Sequence, residues 1–235
     1  PHPTGSLRPV PEVARRRACR WGIGVRFYAT LVTGTRDDGR MTEHHYQPFY
    51  CEENVWHLSE SPGFVGLPRR VVFISNVRKA CPMFLQRASG CSHEPVVWDY
   101  HVILAVRSDG WRIWDLDSRL ELGISLEQYT TATFVGAALL PADLAPRFRL
   151  IDGDLYRDRF RSQRGHMRAE DGRWLQPPPS WPAIGGDGKG SNLMRFVDMQ
   201  TAFIGVVTDL EGLGAGLDDG TACQSEAEAL ESRLR

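Results

Sequence analysis

Short blocks of apolar residues, separated by polar and turn-forming stretches, set the rhythm of this chain. Residues 51–60 (CEENVWHLSE) place apolar Val55, Trp56 and Leu58 behind Glu52 and Glu53, and Ser61-Pro62-Gly63 stops the run. That predicts a short helix opening at Cys51, its acids suited to the positive end of the helix dipole. Val71–Ser75 (VVFIS) is apolar, β-branched and bounded by turn formers, which predicts a buried strand.

Residues 96–117 carry the most information. Val96–Val106 reads as one strand, Arg107–Gly110 as a turn and Trp111–Asp117 as a second strand, together an antiparallel hairpin. A three-residue loop Ser108-Asp109-Gly110, with Gly110 left-handed, sets His101 opposite Asp117 and puts Asp115 one diagonal step away on the same face. A two-residue loop would move both aspartates to the other face. Further on, Leu126–Leu140 reads as a surface helix, Phe148–Leu155 as a strand, Leu155–Phe160 as the start of a helix, and Phe203–Val207 as a last short strand. Pro177-Pro178-Pro179 and the glycine-rich 185–190 mark a long irregular connection.

Composition narrows the class. With 42% hydrophobic residues and seven Trp in 235 residues, the chain can bury a core of one domain, and wholesale disorder is excluded. A net charge of −1 gives no sign of a nucleic-acid partner. No apolar run approaches the roughly 18 residues of a bilayer-crossing helix, so no membrane partner is expected. Five cysteines without a C-x-x-C pair fit reduced thiols better than a disulfide scaffold. Residues 1–40 hold eight Arg and three acids, a leader-like bias. The plainer expectation is that 1–40 lie outside the functional domain, which then spans 41–211, with a small, acidic and disordered tail over 212–235. Within that tail only Ser225–Leu234 has a helical tendency.

A lone cysteine is usually a small buried hydrophobe. Cys51 departs from that expectation by opening a helix, where backbone N–H groups stabilise a thiolate and can hold an oxyanion. His101 opens an apolar strand. As an isolated residue it would be a core histidine, but the hairpin brings Asp115 or Asp117 alongside. An acid between Trp114 and Leu116 is costly to bury unless it is paired, and orienting an imidazole is a reason to place one there. Strand geometry leaves the choice between the two aspartates open. His57 falls on another face of the helix, and His166 is the rival base, with no acid predicted beside it. Cys81, Cys91, His93 and His101 lack the closely spaced ligand pairs of zinc sites, and no phosphate-binding glycine loop is present. These spacings point to no metal site.

Several blocks resemble one family, the protein N-terminal glutamine amidohydrolases. They are Tyr50–Trp56 (YCEENVW), Val72–Asn76 (VFISN), Val97–Val102 (VWDYHV), Trp114–Asp117 (WDLD), Ser162–Met167 (SQRGHM), the proline-containing Trp174–Pro182, and Asn192-Leu193 with Phe196. The resemblance runs in order over about residues 45–207. It implies an α+β fold of the papain-like or transglutaminase-like kind, with the nucleophilic cysteine heading a helix packed on an antiparallel sheet. It implies Cys51 as nucleophile, His101 as general base and then acid, and Asp115, not Asp117, as the orienting carboxylate. The implied reaction is deamidation of an N-terminal Gln to Glu with release of ammonia, in the N-degron pathway before arginylation, by a cytosolic and nuclear monomer. The resemblance implies that this reaction needs neither metal nor organic cofactor. Substrates would be proteins and peptides bearing N-terminal Gln. Something must meet their α-ammonium, and Glu52, Glu53, Asp99 and Asp117 are the nearest acids. A triad alone does not name the bond it cleaves. A cysteine peptidase or transglutaminase on the same scaffold, and an inactive module that binds N-terminal Gln, stand as alternatives.

Overall fold

A computed structural model describes residues 32–35, 41–186 and 190–219. The leader expected over 1–40 lies outside them except for 32–35, and the helical tendency of Ser225–Leu234 lies outside them altogether. Strand β1 (Val32–Thr35) pairs antiparallel with β2 (Met41–His44). Helix α1 (Cys51–Leu58) follows, then β3 (Arg69–Ser75), β4 (Cys81–Met83), β5 (Val96–Trp98), β6 (His101–Arg107), β7 (Trp111–Trp114) and β8 (Ile124–Ser125). The chain continues through α2 (Leu126–Thr133), β9 (Arg147–Asp152), α3 (Gly153–Arg159), α4 (Leu193–Val197), β10 (Val206–Thr208) and α5 (Leu213–Asp218).

Six strands form the central antiparallel sheet in the order β10-β9-β3-β6-β7-β8, while β4 and β5 pair separately. The fold is therefore α+β with antiparallel pairing. Both faces of the sheet are covered, which is why β3 and β6 read as unbroken apolar runs without alternation. Val71, Phe73, Val102 and Leu104 face one core with Val55, Tyr156, Phe160 and Phe196. Val72, Ile74, Ile103 and Ala105 face the other with Tyr129, Phe134, Phe148 and Leu217. Among the described residues no helix is long and apolar enough to cross a membrane.

The hairpin register follows the three-residue loop: Leu104 pairs with Trp114 and Arg107 with Trp111. Several expectations need correction. Gly110 is not left-handed; the loop closes through Ser108 N donating to Gly110 O at 3.0 Å. The strand expected over 96–106 breaks at Asp99-Tyr100, where the Asp99 side chain accepts from Tyr100 N at 3.0 Å, so β5 and β6 enter different sheets. Strand β7 ends at Trp114, so His101 and Asp117 do not pair across a ladder. The helix expected over 126–140 stops at Thr133, and left-handed Gly136 opens a separate short helical turn, Ala137–Leu139. The tail boundary also moves. Residues 213–218 form α5, and Leu213 and Leu217 are buried against the second core, which a small and acidic composition concealed.

Among the described residues Arg149 is the largest fully buried side chain, on β9, in a position an apolar strand pattern would give to leucine. Its guanidinium donates to the carbonyls of Phe196, Asp198, Thr201 and Ile204 and so ties the segment after α4 to the sheet. Arg149→Leu strips donors from those carbonyls and is expected to lower stability by about 3 kcal/mol or more. Urea unfolding measures it, and an unchanged midpoint would refute the tie.

Candidate active site

Strand β6 begins with His101, and the turn leaving β7 brings Asp115 to it. His101 Nε2 and Asp115 Oδ1 lie 2.8 Å apart, both side chains essentially sealed from water. Asp115 is held by three further donors: Asp117 N to Oδ1 at 3.0 Å, Tyr129 OH to Oδ2 at 2.8 Å, and Gln86 Nε2 to Oδ2 at 3.4 Å. Burial by itself would raise the Asp115 pKa, but the His101 charge and these hydrogen bonds outweigh it and hold the carboxyl below its ordinary range. Burial would likewise lower His101; the Asp115 charge and hydrogen bond outweigh that too, and the ring is held above its ordinary value. Trp98 stacks on the imidazole at 5.4 Å between centroids and donates Nε1 to Gln86 Oε1 at 3.2 Å, so ring and carboxylate share one brace. His101 Nδ1 is buried and makes no hydrogen bond.

Asp117 sits beside the pair without replacing Asp115, because its Oδ1 accepts Tyr46 OH at 2.5 Å. Burial keeps the Asp117 carboxyl above its ordinary pKa. Strand geometry left Asp115 and Asp117 equivalent and the family resemblance favoured Asp115; the structure bonds His101 to Asp115.

Cys51 is the first residue of α1, which packs across β6. Its sulfur is buried and donates to Glu52 Oε2 at 3.7 Å. Burial first, then the Glu52 and Asp117 charges, hold the thiol well above the ordinary cysteine pKa, and a backbone hydrogen bond from Val102, the residue after His101, acts the other way. The helix N-terminus does not by itself make a thiolate here, so the proton needs an acceptor.

The remaining acids separate sharply. Glu53 is fully buried and receives both arms of Arg164, Nε to Oε1 at 2.7 Å and Nη2 to Oε2 at 2.6 Å, with Trp181 Nε1 to Oε2 at 2.8 Å. This bidentate, three-donor clamp anchors the 162–181 segment to α1. Asp99 is exposed at the β5–β6 break. Glu52 is fully buried and faces Tyr100 OH (to Oε2, 3.1 Å) and His166 Nε2 (from Oε1, 3.4 Å). His166 thus has an acid beside it after all, supplied by the helix and out of reach of local spacing.

Cys81, Cys91, His93 and His101 are not brought into one cluster. Among the described residues the one compact set of candidate metal donors is His101, Asp115 and Asp117. His101 Nε2 and Asp115 are already engaged with each other there. Sequence reasoning missed Tyr129, Gln86, Trp98 and Arg164. Arg164 lies inside the SQRGHM block and Trp98 inside VWDYHV, which marked the blocks without revealing the contacts. Tyr129 and Gln86 carried no local signal.

A family model described as N-terminal glutamine amidase matches residues 46–216, from the first residues of the site to the middle of α5. The chain belongs to the N-terminal glutamine amidase family. Its relatives include proteins named protein N-terminal glutamine amidohydrolase. The Danio rerio protein is 39% identical over 163 residues, covering 66% of this chain and 79% of the relative. The Arabidopsis thaliana protein is 38% identical over 172 residues, covering 68% and 78%. The Homo sapiens protein is 36% identical over 160 residues, covering 66% and 78%. The matched family segment contains Cys51, His101, Asp115 and the Glu53–Arg164 clamp.

Proposed function

We propose that this chain is a cysteine-dependent amidohydrolase that converts N-terminal Gln of proteins and peptides to Glu, with Cys51, His101 and Asp115 as its catalytic triad. The observation that carries the reading is the buried His101–Asp115 bond, which uses Nε2 and leaves Nδ1 unbonded on the strand that α1 and Cys51 pack against. A cysteine heading a helix across an antiparallel sheet is also the layout of papain-like and transglutaminase-like enzymes. The names borne by the relatives supply the substrate.

In this mechanism His101 Nδ1 accepts the Cys51 proton as the sulfur attacks the side-chain carboxamide carbon of an N-terminal Gln. The oxyanion is stabilised by N–H groups at the start of α1. His101 returns the proton to the departing ammonia, and the tetrahedral adduct collapses to a thioester. Water, giving a proton to His101, attacks the thioester carbonyl. Cys51 leaves as a thiol and the side chain becomes that of Glu. Asp115 remains ionised throughout, fixing the ring and stabilising its charged form. The residues draw on no metal or organic cofactor for these steps. The catalytic unit extends from the segment before Cys51 through α5, and the same reading places the protein in the N-degron pathway as a cytosolic and nuclear monomer.

The test is ammonia release from a Gln-Gly-Gly peptide, compared with Asn-Gly-Gly and N-acetylated Gln-Gly-Gly. Release from the first alone is expected. Equal turnover of the acetylated peptide would favour an acyltransferase or peptidase without terminal specificity, and binding without release would favour an inactive module.

A further inference from the structure

Hydrogen-bond partners divide the four acids that surround Cys51 in sequence or space. Glu53 is saturated by Arg164 and Trp181, and Asp117 holds Tyr46 OH. Asp99 is exposed and accepts from Tyr100 N. Glu52 is different. It is 0% exposed, its Oε2 faces Cys51 Sγ at 3.7 Å and accepts Tyr100 OH, and its Oε1 is buried yet accepts no hydrogen bond. Among the described residues the cation-forming group that contacts Oε1 is His166 Nε2 at 3.4 Å, on a side chain that is 20% exposed. A buried carboxylate oxygen without a donor is costly unless a positively charged donor completes it.

We propose that Glu52 is the acceptor for the substrate's α-ammonium and sets the requirement for a free N-terminus. This rests on the deamidase reading of the same site. In an N-terminal Gln the α-nitrogen and the carboxamide carbon are four bonds apart, a span of at most about 5 Å. Attack requires that carbon roughly 3–3.5 Å from sulfur, and an ammonium–carboxylate contact is about 2.7–2.9 Å. With Cys51 Sγ 3.7 Å from Glu52 Oε2, the carboxylate lies close enough to the sulfur for one glutamine to meet both groups. The ammonium then takes the place of the His166 contact. An acetylated terminus offers no charge and leaves Glu52 buried and unpaired, so the site rejects it. The carboxylate also explains a cost: it raises the Cys51 pKa in the empty site, and an arriving ammonium cancels that charge.

Binding to protein that cannot turn over separates this assignment from the chemistry. Cys51→Ala, titrated calorimetrically with Gln-Gly-Gly and with its des-amino analogue, is expected to prefer the amine about 30-fold, the range of one charge-assisted hydrogen bond. Adding Glu52→Gln should bring the two peptides within about threefold of each other; a preference left intact overturns the proposal. If Glu52→Gln fails to fold, as circular dichroism would reveal, Glu52→Asp keeps the charge but withdraws it by one carbon. The preference should then fall at least about threefold, and an unchanged preference again overturns it. Wild-type protein that releases no ammonia while the Glu52-dependent preference holds would refute deamidation and leave the ammonium site standing.

Discussion

Cys51→Ala is expected to reduce ammonia release from Gln-Gly-Gly by about 10⁴-fold or more, to the background of the buffer, while leaving the fold intact. The size of the effect follows from the mechanism. Without sulfur no thioester forms, and water would have to attack an unactivated carboxamide in a site built around a thiol. The fold should tolerate the change, because alanine is a good first-turn residue and Cys51 contributes only a small apolar volume to the core beneath α1. Single-turnover ammonia assays with matched circular dichroism spectra decide it. Retention of more than about a hundredth of wild-type activity in a folded protein would remove Cys51 from the reaction.

Asp115→Asn should be nearly as damaging to catalysis, about 10³–10⁴-fold in kcat, because an amide neither selects the His101 tautomer nor stabilises the charged ring. Two pH signatures accompany the loss and separate a positioning role from simple damage. In the wild type, Asp115 holds His101 above its ordinary pKa, so the acid limb of kcat/KM should lie above about 6.5. In the variant, burial is opposed only by the smaller pull of the Asp117 and Glu52 charges, and the limb should move down in pH. Stability carries the second signature. Asp115, with its folded pKa depressed, contributes stability that is present above about pH 4 and lost as pH falls through the folded value. His101, with its folded pKa raised, contributes stability that is present below about pH 6.5 and lost as pH rises through the folded value. The stability gap between wild type and variant should therefore be widest between about pH 4 and 6.5. Urea unfolding at acidic, intermediate and alkaline pH measures it. A gap that does not change with pH, together with an unmoved acid limb, would show that Asp115 does not govern the charge on His101.

The contrast between Glu52 and Glu53 bears on both experiments. The two carboxylates are adjacent in sequence, both lie in the first turn of α1 and both are fully buried. Helical spacing turns one toward the sulfur and the other toward the 162–181 segment, where Arg164 consumes its charge. One therefore braces the architecture while the other is left to act on whatever enters the site.

Local rules reached some of this directly from sequence. Acids behind a cysteine, with apolar residues at helical spacing and a Pro-Gly stop, predicted a helix over 51–60, and the structure has one over 51–58. The apolar run of β3 was equally readable, and the β6–β7 register is that of the three-residue alternative for its loop, because both depend on residues close together in the chain. The blocks around Cys51, His101 and Asp115 carried the family. What local rules could not reach depends on elements distant in sequence. That Asp115 meets His101 follows from the turn after Trp114 and from donors as remote as Gln86 and Tyr129. That Arg149 is a buried tie, that α5 closes the second core, and that Glu52 keeps a buried oxygen without a hydrogen bond are all consequences of which partners arrive in space. Periodicity gives the face a side chain is on; only packing gives what stands opposite, and for a buried charge the partner opposite decides its role.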